Sequence, residues 1–319
     1  MTTTQRVLVP LDGSLLAERA IPVAAALAGS EGAITFMHVV PDPEPLRGIF
    51  GSMLATSDDV LRMERETATV MIEEIARRWK GVLSQEPSIH VTPGDPAEMI
   101  LRAVRDVGAT MIAIASHGRG MAGRLAFGSV ADRIARSSEV PVLIVHPDEE
   151  DESVQIEAQL AEIRRILVPL DGSETAAQAL PVATDLAQSS GASVHLVQAV
   201  NPSAMLLPSP VGAAHYPAEL YQEVADEMKT SAKETLSTAE SDISSGGVDV
   251  TQVVVEGPAV AAIESEVKEG DLIVMTSHGR GGFRRWLLGS VSEKLIRSGA
   301  APVVLVPSAE RVAAGNEGG

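Results

Sequence analysis

The phrase RVLVPLDGS at residues 6 to 14 returns as RILVPLDGS at 165 to 173, and SHGRGMAGRLAFGSV at 116 to 130 returns as SHGRGGFRRWLLGSV at 277 to 291. Asp12 and Asp171 are 159 positions apart and His117 and His278 are 161 apart, so two anchors far from each other keep nearly one offset. Self-similarity at a fixed period means one structural unit written twice. Any fold proposed for the chain must therefore close within roughly 150 residues and serve both copies, a length sufficient for a core of its own. The stretch between the copies, PDEEDESVQIEAQLAEI, is acidic at first and weakly helical after, which reads as a linker. The expected organisation is a first domain at 1–147, an acidic linker at 148–162, a second domain at 163–309 and a flexible tail at 310–319.

Within each copy, strand-like and helix-like runs alternate. In the first, VLVPL is a strand and SLLAERAIPVAAALA a helix with Ser14 as N-cap. AITFMHVV is a second strand, followed by the Pro-rich PDPEPLRGIFGS and a long helix from about Asp59 to Lys80. SIHVTPG, TMIAIAS and PVLIV are further strands, separated by helices over PAEMILRAVRDVG and SVADRIARS. The second copy repeats the order, with a Pro-rich NPSAMLLPSPVG and a long helix around Glu219 to Ser241. Strands that are nearly all apolar and separated by helices imply a parallel sheet covered on both faces. The expected fold is α/β: two tandem, Rossmann-like, doubly wound domains, each a five-stranded parallel sheet flanked by helices. In such sheets ligands sit outside the carboxyl ends of the strands where strand order reverses.

Composition narrows the function classes. Aromatics are 3% of a chain that is 45% hydrophobic, so the cores are aliphatic. The absence of cysteine excludes disulfides, thiolate metal sites and a Cys nucleophile. A net charge of -18 argues against a nucleic-acid partner, which needs a basic face. The N-terminus lacks the features of a signal peptide and no run reaches the roughly 18 apolar residues of a membrane span. A soluble, cytoplasmic protein with no membrane partner is expected.

Three readings of the glycine-rich phrase compete. Gly118, Gly120 and Gly123 satisfy G-x-G-x-x-G, but the dinucleotide fingerprint belongs after a first strand, and the second copy has Arg284 where Gly123 stood. No Walker A phrase occurs. A second reading is structural: Ser129 with Asp132, and Ser290 with Glu293, match a capping box. The third takes the loop as an anion cradle, with glycine N-H groups and a helix N-terminus turned toward a polyphosphate. Arg119, Arg124, Arg280, Arg284 and Arg285 would supply local cations, which dominate over the net charge within a screening length of about 8 Å. Asp12 and Asp171 would then accept from an amine or hydroxyl at the ligand's other end, unless each serves only an Asx turn with its following glycine.

The pattern G-x2-G-x9-G-[ST] after strand four, with P-x-D after strand one, resembles the ATP-binding members of the universal stress protein family. The resemblance covers both halves, and in each the nine-residue spacer, 119 to 127 or 280 to 288, ends in Gly128-Ser129 or Gly289-Ser290. It implies an ATP molecule lying across the strand ends of each domain, with Mg as a candidate companion. The base would contact Asp12 and Val39, or Asp171 and Ala199. Ribose and phosphates would contact Gly118, Gly128, Ser129 and Val130, or Gly279, Gly289, Ser290 and Val291. The full expected site is Pro10, Leu11, Asp12, Val39, Ala115, Gly118, Arg119, Gly128, Ser129, Val130 and Ala131 in the first domain. In the second it is Pro169, Leu170, Asp171, Ala199, Thr276, Gly279, Arg280, Gly289, Ser290, Val291 and Ser292. Both copies depart from the pattern at its first glycine, which is Ala115 or Thr276 here.

Other chemistry finds less support. His117 and His278 are placed alike in both copies, but no H-x-x-x-H spacing or carboxylate run completes a metal site. His38 becomes Gln198 in the second copy, so a hydrogen bond suffices to explain it. Ser116 and Ser277 lack the G-x-S-x-G turn of a hydrolase. Two function classes remain: an ATP-binding regulatory protein whose occupancy switches conformation or partner affinity, and a nucleotide hydrolase or nucleotidyl transferase. The first is preferred because a cradle is legible and a catalytic apparatus is not. For assembly, the family resemblance implies pairing through the fifth strand, giving an internal pseudo-dimer, with a homodimer and an unknown regulatory protein as further candidate partners. The Pro-rich segments 41–57 and 201–217 read as lids, partner surfaces or unordered chain.

Overall fold

Runs such as Val7-Leu8-Val9, Ile112-Ala113-Ile114 and Leu272-Ile273-Val274 are buried residue after residue rather than on alternate positions. Side chains alternate faces along a strand, so continuous burial means both faces are covered, as in a parallel sheet between helical layers. The computed structural model describes residues 4–41, 57–116, 128–146, 161–205, 218–277 and 288–309. The chain divides into two units, Met1–Glu162 and Ile163–Gly319.

In the first unit the elements follow as β1 (Arg6–Pro10), α1 (Leu15–Glu18), α2 (Ala20–Ala28), β2 (Ala33–Val40), α3 (Ser57–Trp79), β3 (Ser88–Pro93), α4 (Pro96–Asp106), β4 (Met111–Ala115), α5 (Ser129–Ser137) and β5 (Val142–Val145). The strands are parallel and run in the order β3-β2-β1-β4-β5. Register is set by pairs such as Val7 with Ile34 and with Met111. The order reverses between β1 and β4, which makes their carboxyl ends the place where a ligand crevice forms.

The second unit has β6 (Arg165–Leu170), α6 (Glu174–Ala177), α7 (Ala179–Ser190), β7 (Ser193–Val200), α8 (Pro202–Met205), α9 (Ala218–Ser244), β8 (Val250–Glu256), α10 (Ala259–Glu266), β9 (Asp271–Thr276), α11 (Ser290–Ser298) and β10 (Val303–Val306). Its parallel order, β10-β9-β6-β7-β8, repeats that of the first unit, with the reversal between β6 and β9.

The helix expected after each first strand is in fact two pieces, broken at Arg19 in one unit and Gln178 in the other. The cause is Pro22 and Pro181, which lack an N-H and crowd the carbonyl four residues back, at Glu18 and Ala177. Glu18 is almost wholly buried. Its carboxylate takes the Arg78 Nη1 at 2.8 and 3.0 Å and the Trp79 Nε1-H at 2.9 Å, which clamps α1 to the end of α3. The second unit puts Ala177 at that place in α6.

At the amino ends of its strands the second unit carries a buried polar cluster instead. Arg165 Nη2 lies 2.6 Å from Asp271 Oδ2, and the Lys268 N-H donates to the same oxygen. Through its hydrogen bond to Asp271, the Arg165 guanidinium is held above its ordinary pKa. His195 Nδ1 is 2.7 Å from Thr251 Oγ1, while Nε2 is buried and lies 3.4 Å from Glu266 Oε2, too poorly aligned for a hydrogen bond. Burial first, and Arg165 second, hold the His195 imidazole below its ordinary 6.5.

Candidate functional site

The loop leaving β1 is pinned to β2 on both sides of one residue. The Leu11 N-H donates to Met37 O at 2.7 Å, and Leu11 O accepts from His38 Nδ1 at 2.8 Å. A carbonyl can only accept, so this bond puts the imidazole proton on Nδ1. Asp12 follows in an Asx turn: the Ser14 N-H and hydroxyl both donate to Asp12 Oδ1, at 2.9 and 2.6 Å. Gly13 completes the turn at a φ of 86°, a conformation that favours glycine. Ser14 in turn caps α1 by accepting from the Ala17 N-H at 3.1 Å. The turn and the ligand reading of Asp12 are compatible, because the turn engages Oδ1 and a carboxylate has a second oxygen. The second unit repeats the arrangement at Asp171, with Ser173 donating twice to Oδ1 at 3.0 and 2.6 Å and Gly172 at a φ of 80°.

Across the reversal point, Ala115 ends β4. Ser116 is fully buried, its N-H donates to Val145 O at 2.9 Å, and its Oγ lies 2.8 Å from His146 Nδ1. These bonds hold the end of β4 to the end of β5. A hydroxyl without solvent access in this structure is placed as a fastener, not as an exposed nucleophile.

The capping box expected at Ser129 and Ser290 is not formed. Gly128 and Gly289 take the N-cap position, with ψ near 150° in each, and the serines are the first helical residues. Asp132 pairs with Arg136 at 2.8 Å and Glu293 with Arg297 at 2.6 Å, so neither carboxylate reaches back to a cap. Glycine has no side chain with which to accept, and the first-turn N-H groups of α5 and α11 are left without a side-chain cap. Their φ values, -58° and -62°, are open to any residue. The dihedral angle therefore does not require glycine at these positions.

Between these parts lies a cleft of about 250 Å³. Pro10, Leu11, Asp12, Val39, Ala115, Gly128, Ser129, Val130 and Ala131 all line it, so the structure brings these expected residues of the first domain together. Gly118 and Arg119 lie outside the described residues, as do His117, Gly120, Gly123 and Arg124. Residues the sequence reading did not include also line the cleft: Ala17, Met37, His38, Pro96, Ile100, Ile114 and Ile134. Most are apolar, so the walls of the cleft are largely aliphatic. Pro96 and Ile100 come from α4, whose N-cap Asp95 accepts from the Glu98 N-H at 2.9 Å and from Arg133 of α5 at 2.7 Å. The helix start at Pro96 was readable, but its approach to α5 depends on the packed sheet.

In the second unit, Pro169 and Leu170 end β6, Ala199 lies near the end of β7 and Thr276 ends β9, buried. Gly289, Ser290, Val291 and Ser292 form the cap and first turn of α11. Gly279, Arg280, Gly281, Arg284 and Arg285 lie outside the described residues, as does His278. Gln198 stands where His38 stands, and its Oε1, an acceptor, is buried with no hydrogen-bond partner among the described residues. Among the described residues no group of three or more His, Cys, Asp or Glu is placed to hold a metal ion, and no helix is long and apolar enough to cross a membrane.

A tandem α/β protein with a strand-order reversal in each unit, and a cleft at that of the first, defines the class. The universal stress protein family model matches residues 3–146 and again 162–307. The chain belongs to the universal stress protein family. It is 28% identical over 309 residues to a universal stress protein of Mycolicibacterium smegmatis, covering 95% of this chain and 97% of the relative. A universal stress protein of Methanocaldococcus jannaschii is 34% identical over 146 residues, 45% of this chain and 81% of the relative. Among solved structures, a universal stress protein from Archaeoglobus fulgidus superposes with a TM-score of 0.64 over 96% of this chain and 99% of that one, at 21% identity, a likeness of fold.

Proposed function

We propose that the protein binds an adenine nucleotide, ATP, in each domain, and that occupancy is read as a conformational or partner switch with little or no hydrolysis. The observation that carries this reading is the cleft of the first domain, whose mostly apolar lining includes Asp12 and the start of α5. Val39, Met37 and Ile114 offer surfaces for the faces of a base. Asp12 offers an acceptor for an amine or ribose hydroxyl. The uncapped N-terminus of α5 offers backbone donors and a partial positive charge to phosphate, worth up to about 2 kcal/mol when partly buried. The group therefore fits the residues present. Any Mg would be held chiefly through the phosphates, given that no metal-binding cluster stands among the described residues.

The test is to purify the protein, heat-denature it and chromatograph the supernatant. Released ATP, with a thermal shift on adding ATP, supports the reading. ADP or AMP would instead favour a hydrolase, and neither nucleotide nor shift would sink both.

A further inference from the structure

The two cradles differ in one respect that repeated sequence hides. In the second domain the Gly289 N-H donates to Ser277 O at 2.7 Å. Ser292, buried in the first turn of α11, shares its hydroxyl proton between that same Ser277 O, at 3.1 Å, and Gly289 O, at 2.9 Å. Two donors thus tie the chain just past β9 to the start of α11. In the first domain the equivalent positions are Ser116, Gly128 and Ala131. Ala131 has no hydroxyl, and the Gly128 N-H has no partner among the described residues.

We propose that Ser292 is an affinity-setting residue: it latches the second cradle shut, so that nucleotide fills the first domain before the second. The inference rests on the nucleotide reading above. The Gly289 N-H sits at the helix start where an incoming phosphate needs donors, and it is already spent on Ser277 O. Phosphate must displace that bond or forgo a donor, and the Ser292 hydroxyl holds the acceptor in place. The first cradle carries no such cost among its described residues, where the corresponding N-H makes no bond to Ser116 O. A neutral hydrogen bond in protein alters an equilibrium by roughly three- to tenfold.

The sites can be read separately by titration calorimetry with ATP, using Gly128→Glu to leave the second site and Gly289→Glu to leave the first. The first site is expected to bind about three- to tenfold more tightly than the second. In the Gly128→Glu background, Ser292→Ala should tighten binding by a similar factor, and Ser292→Thr, which keeps the hydroxyl, should restore the weaker value. Installing the latch with Ala131→Ser should weaken the first site. If Ser292→Ala leaves the second site unchanged or weakens it while ATP still binds the wild type, the hydroxyl is not a latch. Absence of ATP binding to the wild type overturns the nucleotide reading and the latch with it.

Discussion

Under the proposed function, Asp12 would serve a turn and a ligand with one side chain. Asp12→Asn keeps an acceptor for the Ser14 donors but removes the charge, so the expected result is an ATP affinity about tenfold lower at an unchanged melting temperature, since bonds to charged groups are the stronger ones. Calorimetry in the Gly289→Glu background and a thermal melt check the two halves. Glu18 makes the opposite case, a buried carboxylate that acts on stability alone. Glu18→Ala strands the Trp79 indole N-H in the core and frees Arg78. A cost of about 2 kcal/mol is expected in urea unfolding, because the indole loses its buried acceptor while the half-exposed Arg78 can return to water. A mutant as stable as the wild type would refute the clamp. Neither partner of Glu18 was legible: they are sixty and sixty-one positions away, and no periodicity in α1 points to them.

At the scale of elements, the strands and their succession along the chain followed from apolar runs and the repeat, and the Ser14 cap from its place before a helix. The capping-box motif misled because Gly128 and Ser129 compete for one position. Which of two adjacent residues is the last extended one is a backbone matter that residue types alone do not decide. The cleft walls from α4 were illegible for a different reason, since a helix following β3 reaches the β1-β4 reversal only through the folded sheet. The glycines at the starts of α5 and α11 give the sharpest element-level expectation. Their ordinary φ values mean that a side chain is conformationally tolerated. Gly128→Glu and Gly289→Glu should each fold, by circular dichroism, while losing nucleotide at the altered site. Retention of normal ATP binding in both would place the phosphate elsewhere.

For the whole molecule, two copies of one fold need not respond alike to acid. His195 belongs to the second unit, and its folded pKa is depressed. As pH falls below about 6.5, the unfolded chain takes up the proton first, so stability is lost through that window toward the lower folded value and is fully present above it. Unfolding of the second unit should therefore become easier between pH 7.5 and 5.5, and His195→Gln should remove the part of the drop that belongs to this residue. Denaturant midpoints at the two pH values, for wild type and mutant, decide it. An equal drop in both would assign the acid sensitivity to other groups.

The double tether at Leu11 has a consequence for ligand capture. With its N-H on Met37 and its carbonyl on His38, the loop carrying Asp12 is in effect one more rung of the sheet. An acceptor mounted on such a rung is preorganised, and an occupant does not have to freeze it on arrival. The entropy of ordering then falls on the phosphate side alone, so shortening the ligand from a triphosphate to a nucleoside should remove most of the unfavourable binding entropy along with much of the enthalpy.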